Sequence, residues 1–400
     1  MGAAAERIVI AGGGLAGLRT VEELRSAGYR GQVTVIGAEA RPPYDRPPLS
    51  KQVLRGEADD TSLRPELGSL GAQFRLGERA ERLGDHVLLT GRGEYPFDRL
   101  VIATGARPVA LPGPGPQRFL RTLDDALALR EALVPGARLV VIGAGWIGAE
   151  LATAALARRC RVCVVEAGPA PLAGAVGAEV GAVTAPWYER AGARLRLGEA
   201  VASVEDGGIV LACGEWLAAD VIVTAVGVRP EVGWLDGSGV ALEDGVRVDD
   251  HLASSVEGVY AVGDCAAFWS ARFGRRMRPE HWDVALRAPA VLAANLAGGD
   301  QRYDPVPYFW SEQFGRMLQY VGDHKGADRL VWRGDPRGEA WSACWLASGE
   351  AGDRLVAVLT VGLPRELSQA RRLIEAASPV RADRVADPAV PLRDAVSGGG

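Results

Sequence analysis

Lysine is close to missing from this chain: of 45 basic residues only Lys51 and Lys325 are lysines. Where arginine serves almost everywhere else, a retained lysine points to a position that needs a compact ammonium. Lys325, in the polar stretch Gly322-Asp323-His324-Lys325-Gly326, has no such context, and Lys51 does. Histidine is also scarce. His86, His251, His281 and His324 show neither metal-ligand spacing nor a nucleophile partner, and each reads as incidental. The five cysteines are widely scattered and do not read as a disulfide framework. No apolar run approaches the roughly 18 residues that suggest a membrane span. Met1 to Glu6 runs straight into a strand, with no basic-then-apolar leader. A net charge of −5 argues against broad nucleic-acid binding. The expectation is a cytoplasmic enzyme, monomeric or weakly dimeric, with no nucleic-acid or membrane partner and no metal.

Glycine, by contrast, is plentiful, and its placement is the most informative feature of the chain. The fingerprint Gly12-Gly13-Gly14-Leu15-Ala16-Gly17 returns as Gly143-Ala144-Gly145-Trp146-Ile147-Gly148. Each copy follows an apolar strand (7–11, 138–142) and opens a helical stretch rich in alanine and leucine. Such glycines let backbone N–H groups approach a pyrophosphate, whose charge a helix N-terminus favours. One copy is weak evidence. Two, both in strand–turn–helix context, predict two dinucleotides bound side by side, an arrangement suited to passing electrons between them.

The rest of the chain fits around these units. In the first, helix 15–27 and strand 32–36 lead into the stiff loop Arg41-Pro42-Pro43-Tyr44-Asp45-Arg46-Pro47-Pro48, after which Ser50 is expected to cap a short helix starting at Lys51. A strand at 99–103 ends in Thr104-Gly105. The second unit repeats the pattern with helix 146–158, strand 161–165 and strand 221–226. Strand 259–264 ends in Gly263-Asp264 and is expected to return to the first domain, making the second an insertion. From about Asp323 the pattern becomes strands 329–333, 340–346 and 355–361 with a helix at 365–377, a separate α+β module ending in a disordered tail, Ser397 to Gly400.

Individual side chains refine the picture. Glu166, at the end of the second unit's second strand, can bind both ribose hydroxyls of NAD and repel the 2′-phosphate of NADP, and no arginine follows it in Ala167-Gly168-Pro169-Ala170. In the first unit that position is Gly37 and the nearest acid is Glu39. Asp264 suits either a ribityl or ribose hydroxyl or a simple cap. Cys160 and Cys163 are spaced as C-x-x-C, but at the entry of an apolar strand rather than a helix N-terminus, so they read as structural, without the redox dithiol of a disulfide reductase. Arg272, Arg275, Arg276 and Arg278 form a basic cluster that is either a solvated loop or a docking patch for an acidic redox protein.

With these pieces placed, the chain resembles the FAD-dependent, NADH-using ferredoxin reductases of oxygenase systems, the putidaredoxin-reductase and biphenyl-dioxygenase-reductase type. The likeness rests on Pro43 to Lys51, Ala103 to Pro108, Gly143 to Glu150, Val226 to Pro230, Val262-Gly263-Asp264 and Phe309-Trp310-Ser311-Glu312-Gln313. Arg333 to Pro336 and Pro364 to Leu367 resemble that family's C-terminal interface domain. The resemblance implies two Rossmann-like doubly wound domains and an α+β interface domain: FAD-binding at 1–110 and 238–322, NADH-binding at 111–237, and interface at 323–400. It implies FAD at Gly12, Gly14, Leu15, Ala16, Gly17, Glu39, Arg46, Ala103, Thr104, Gly105, Gly263, Asp264, Trp282 and Trp310. Lys51 would approach the isoalloxazine, pair with Glu150 and favour the charge that reduction puts on the ring. NADH would use Gly143, Gly145, Trp146, Ile147, Gly148, Glu150, Glu166, Val226 and Gly227.

The chain departs from the family where an amide-bearing helix start is usual. It has Glu280-His281-Trp282-Asp283-Val284-Ala285-Leu286-Arg287-Ala288 there, which leaves that helix's polar contacts open. Glu231 also stands where asparagine is common. The implied activity is electron transfer from NADH through flavin to an iron–sulfur ferredoxin that serves a haem-thiolate monooxygenase or a Rieske oxygenase. Alternatives on the same fold are an NADH oxidase, a rubredoxin- or nitrite-type reductase, or a redox-gated binding protein similar to apoptosis-inducing factor.

Overall fold

A computed structural model describes residues 6–64, 66–350 and 352–397. They divide into two compact units, each built from non-contiguous stretches of chain.

The first unit takes residues up to 47, 60–107 and 228–305. Its centre is a five-stranded parallel sheet ordered Val259–Ala261, Arg99–Ile102, Arg7–Ala11, Gln32–Gly37, Gln73–Leu76. Ile8, Ile10, Val35, Leu100 and Val101 are all fully or almost fully buried, as a sheet covered on both faces requires. Helices Leu15–Ser26 and Trp282–Leu296 pack on each other through residues that include Leu18, Val21, Ala288 and Leu292. Arg7–Ala11 lies between the strands that follow it on either side, so the chain reverses direction across the sheet at that strand. In open α/β sheets ligands sit in the crevice at such a switch point.

The second unit takes residues 48–59, 108–227 and 306 onward. Its parallel sheet runs Arg194–Leu197, Arg161–Glu166, Arg138–Ile142, Val221–Thr224, and again the strand before the glycine turn is internal. Beside it, Tyr308–Gln313, Arg316–Gly322, Asp353–Val361, Trp341–Ala347 and Arg329–Arg333 form an antiparallel sheet, with Pro379–Val380 on Asp353–Val361. Helix Pro364–Glu375 covers it. The guanidinium of Arg333, 2% exposed, binds Glu366 and donates to the carbonyls of Val385, Asp387, Pro388 and Val390, which ties the last segment of chain to the sheet.

Three expectations change. The C-terminal sheet starts at Tyr308 rather than near 323, because Tyr308–Gln313 and Arg316–Gly322 form a hairpin whose second strand pairs with Asp353–Val361. Residues 48–59 belong with the second unit: Leu54 enters its core, and Arg130 holds Asp59 and the carbonyls of Val53 and Ala58. Ser397 is tied down by donating its N–H to Pro379, and the remainder of the expected tail, 398–400, lies outside the described residues.

Candidate functional site

Both glycine turns are shaped by the same contacts. A Cβ built on Gly12 would fall 2.1 Å from the Ala103 carbonyl oxygen, and one on Gly143 would fall 2.5 Å from that of Ala225. Each turn therefore presses against the backbone that leaves the neighbouring strand, where Ala103-Thr104-Gly105 and Ala225-Val226-Gly227 are equivalents. Inside each turn the last glycine packs on the first: a Cβ on Gly17 or Gly148 would lie 2.0 Å from the carbonyl of Gly12 or Gly143. The middle glycines differ. Gly14 and Gly145 have nothing within 4 Å where a side chain would stand, and both are helix N-caps without a side-chain cap. The helices that follow each run 12 residues. Open space in front of uncapped N–H groups fits a pyrophosphate.

The acids beside the turns are held differently. Glu166 accepts the N–H of Ala144 and of Gly168, both at 2.7 Å, one on each carboxylate oxygen. Each oxygen keeps a free lone pair, as a ribose diol requires. Glu39 instead accepts from the Tyr44 hydroxyl (2.6 Å) and from Arg46 (2.8 Å), while Arg46 lies over the Tyr44 ring. Thr104 donates to the carbonyl of Glu231, whose own N–H returns to Gly105. Gly263 and Asp264 form a short turn after Val259–Ala261 that packs on Ala16, and the Asp264 carbonyl receives Arg278. Leu15 begins the first helix. In the second unit Trp146 packs edge-on against Phe309 (4.5 Å), and Ile147 and Val226 are exposed. Trp310 stacks with Tyr308.

Trp282 gives its indole N–H to Asp45 at 2.7 Å. Burial pushes the Asp45 carboxyl above its ordinary range, and the indole hydrogen bond draws it back. The departures at 281–288 have their own solutions. His281 caps the helix by accepting the Asp283 N–H, Asp283 pairs with Arg287, and Val284 and Ala288 are buried in the apolar core.

The most closely built cluster lies wholly in the second unit. Lys51, on the short helix Leu49–Val53, places Nζ 2.6 Å from Glu150 Oε2, with the two side chains 11% and 5% exposed. Glu150 sits in the first turns of helix Trp146–Ala157 and also accepts the hydroxyl of Ser50. Its other oxygen accepts Ser311 Oγ at 2.6 Å and, at 3.4 Å, the N–H of Glu312. Ser50 is thus inside the helix as a donor to Glu150 rather than a cap before it, and Pro48 takes the cap position. Sequence reasoning missed Ser50 and Ser311 as site residues; the alternation in Trp310-Ser311-Glu312-Gln313, which buries only the serine and glutamine, was the available signal.

Cys160 donates its thiol to the Val134 carbonyl, and burial raises both it and Cys163, as suits structural thiols. Much of the arginine cluster is engaged internally. Arg276 binds Glu243 and the carbonyls of Val248 and Ala267, and Arg278 binds Asp244 and Glu280. Arg275 lies in a strand pairing with Ala266–Ser270, and Arg272 is exposed.

Two dinucleotide cradles, with a buried ammonium–carboxylate pair beside the second, define an oxidoreductase of the two-nucleotide type. The sequence matches the pyridine nucleotide-disulphide oxidoreductase family over residues 6–288 and the reductase C-terminal family over 308–396. The ferredoxin–NAD(+) reductase component of the p-cumate 2,3-dioxygenase system of Pseudomonas putida is 35% identical, with 98% of this chain and 99% of that protein covered. Putidaredoxin reductase of the same species is 32% identical (98% and 97% covered). Its rubredoxin-NAD(+) reductase is also 32% identical (90% and 96%). Among solved structures, Fdr9 superposes with a TM-score of 0.93 at 48% identity, covering 97% of this chain and 99% of that one. The covalent putidaredoxin reductase–putidaredoxin complex gives 0.93 at 31%, with 98% of each chain covered. The chain belongs to the pyridine nucleotide-disulphide oxidoreductase family, among the ferredoxin–NAD(+) reductase components of oxygenase systems. Among the described residues no helix is long and apolar enough to cross a membrane.

Proposed function

We propose that this protein is a cytoplasmic FAD-dependent reductase that takes electrons from NADH and passes them to an iron–sulfur ferredoxin serving a haem-thiolate monooxygenase or a Rieske oxygenase. The observation that carries the reading is the pair of matching cradles, one in each unit, with open room at Gly14 and Gly145. FAD is assigned to the first, with Gly12, Gly17, Ala103 to Gly105 and Asp264 as its binding backbone and side chains. NADH is assigned to the second, where Glu166 selects the ribose diol over a 2′-phosphate. When bound, the flavin supplies the conversion of a two-electron hydride into single electrons.

The protein's part is alignment and electrostatics. The helix starts at Leu15 and Trp146 hold the pyrophosphates. Lys51 presents a fixed positive charge in a water-poor setting, where it favours an electron-rich partner. Glu150 keeps that ammonium in one place. No proton-transferring side chain is needed. For the ferredoxin, Arg272 is the member of the basic cluster best placed for a surface contact, being exposed while Arg276 and Arg278 hold the unit together.

Anaerobic stopped-flow mixing tests the assignment. NADH is expected to bleach the flavin rapidly and NADPH weakly, and oxidised ferredoxin is expected to restore the yellow colour. Bleaching by NADH with no transfer to any ferredoxin indicates an oxidase or a different acceptor, and purified protein without flavin rules the assignment out.

A further inference from the structure

The Glu150 carboxylate is reached from two separate stretches of chain, Ser50-Lys51 and Ser311-Glu312, and the second belongs to the C-terminal sheet. The hairpin of Tyr308–Gln313 and Arg316–Gly322 turns in two residues, Phe314 and Gly315, both at positive φ (49° and 74°). Such a turn matches the strand twist, but a bulky residue such as phenylalanine is strained at its first position, where asparagine, aspartate or glycine is usual. Tertiary contacts hold Phe314 there. Its N–H donates to Thr153 Oγ1 at 3.0 Å, and its ring meets Tyr188 at 4.6 Å. Thr153 lies three residues beyond Glu150 on the same helix, hence on the same face. Docking the hairpin tip on Thr153 therefore brings Ser311 to Glu150.

The hydrogen bond between them has a set direction. Gln313 is fully buried and gives its amide N–H to Ser311 Oγ at 3.0 Å, which leaves the single Ser311 proton for Glu150. Turned over, the amide would set an acceptor against Ser311 and compete for that proton. In the observed orientation Gln313 Oε1 is buried without a partner among the described residues. The charged groups near the carboxylate are Lys51 and, farther out, the Arg55–Glu312 pair (3.8 Å). The two strands packed against the Glu150 helix bring Leu139, Val141, Val162 and Val164 to the cluster it shares with them.

We infer that Ser311, directed by Gln313, is a positioning residue that holds the Glu150 carboxylate, and through it the Lys51 ammonium, where that ammonium favours the reduced cofactor. The C-terminal sheet then takes part in setting the cofactor's potential. This rests on the assignment of FAD above. Without Ser311 the carboxylate is left with Lys51, Ser50 and the long Glu312 N–H contact, and draws the ammonium toward itself.

The test is the flavin midpoint potential of the holoprotein, measured by equilibrium titration against a reference dye, with NADH reduction followed in parallel. Ser311→Ala is expected to lower the preference for reduced over oxidised flavin about tenfold, a shift of about 30 mV to more negative potential for a two-electron couple. Ser311→Thr, which keeps the hydroxyl, is expected to recover most of that shift. Gln313→Leu moves the potential the same way by less. NADH affinity stays within about twofold while the limiting reduction rate falls, as for an interaction expressed after binding. A packing role alone would lower the unfolding temperature and leave the potential where it was. If Ser311→Ala does not fold, Gln313→Leu decides. An unchanged potential in the folded variant overturns the inference. Wild-type protein without flavin, or with flavin that NADH does not bleach, overturns the assignment beneath it as well.

Discussion

The two nucleotide units use one plan from opposite ends of their central strands and part company at a single position. At the near end, Arg7 and Arg138 each open the central strand, and each gives both its backbone N–H and its guanidinium to the aspartate before the neighbouring strand, Asp98 or Asp220. At the far end both turns close glycine on glycine with a would-be Cβ 2.0 Å from a carbonyl. The difference lies at the tip of the second strand. In one unit Glu166 grips the glycine turn through Ala144. In the other, Gly37 faces Gly13 so closely that a Cβ on Gly13 would sit 3.0 Å from the Gly37 Cα, and the acid, Glu39, pairs with Arg46. Backbone sterics set the turn, whereas the residue at one strand tip sets how a ribose is read. The cradle therefore survives while its chemistry changes.

The largest expected effect breaks the symmetry through the pair that only the second unit has. Lys51→Met leaves the Glu150 carboxylate buried without its counter-ion and is expected to cost about 3–5 kcal/mol in urea unfolding of that unit, much of it recovered in the Lys51→Met, Glu150→Gln double variant. Next come the turns themselves. Gly17→Ala is expected to yield protein without flavin, and Gly148→Ala to yield yellow protein with weakened NADH binding. Overpacking of about 1–3 kcal/mol corresponds to roughly five- to 150-fold in affinity, read by flavin content and by titration with NADH. The strand tips sharpen the comparison. Glu166→Ala is expected to raise the NADH dissociation constant about tenfold and to narrow the preference over NADPH, whereas Glu39→Ala, whose carboxylate is already engaged by Tyr44 and Arg46, changes flavin retention less.

The clamps give the smallest effect. Their guanidinium partners hold Asp98 and Asp220 below the usual carboxylate range, Asp220 down to about 2. A depressed value means stability that is present above the ordinary carboxylate range and lost as pH falls. Asp98→Asn and Asp220→Asn should therefore flatten the acid limb of urea stability, the latter between 3.8 and about 2. Both pairs are exposed, so added salt should shrink the difference.

What the sequence made legible follows from which contacts are local. The glycine turns, the strands before them and strand Arg329–Arg333 announce themselves by spacing and apolar runs. The Tyr308–Gly322 hairpin does not, because its turn carries phenylalanine where asparagine or aspartate would signal it, and Thr153 and Tyr188, far off in sequence, hold that residue in place. Ser50 looked like a cap because capping is the local use of a serine before a helix, while its actual partner is a hundred residues away. The arginines 272–278 looked free for the same reason: Glu243, Asp244 and the carbonyl of Val248 reach them only in the folded chain.

The grip of Arg333 on the last segment has a practical consequence for handling the protein. Its five donor contacts end on Glu366 and on carbonyls between Val385 and Val390, so a deletion starting at Val385 would leave the guanidinium with Glu366 alone and remove its four carbonyl contacts. An affinity tag or a fused ferredoxin placed after Ser397 leaves every one of those contacts in place. One spliced in at Asp387 would unfasten the sheet that carries Ser311.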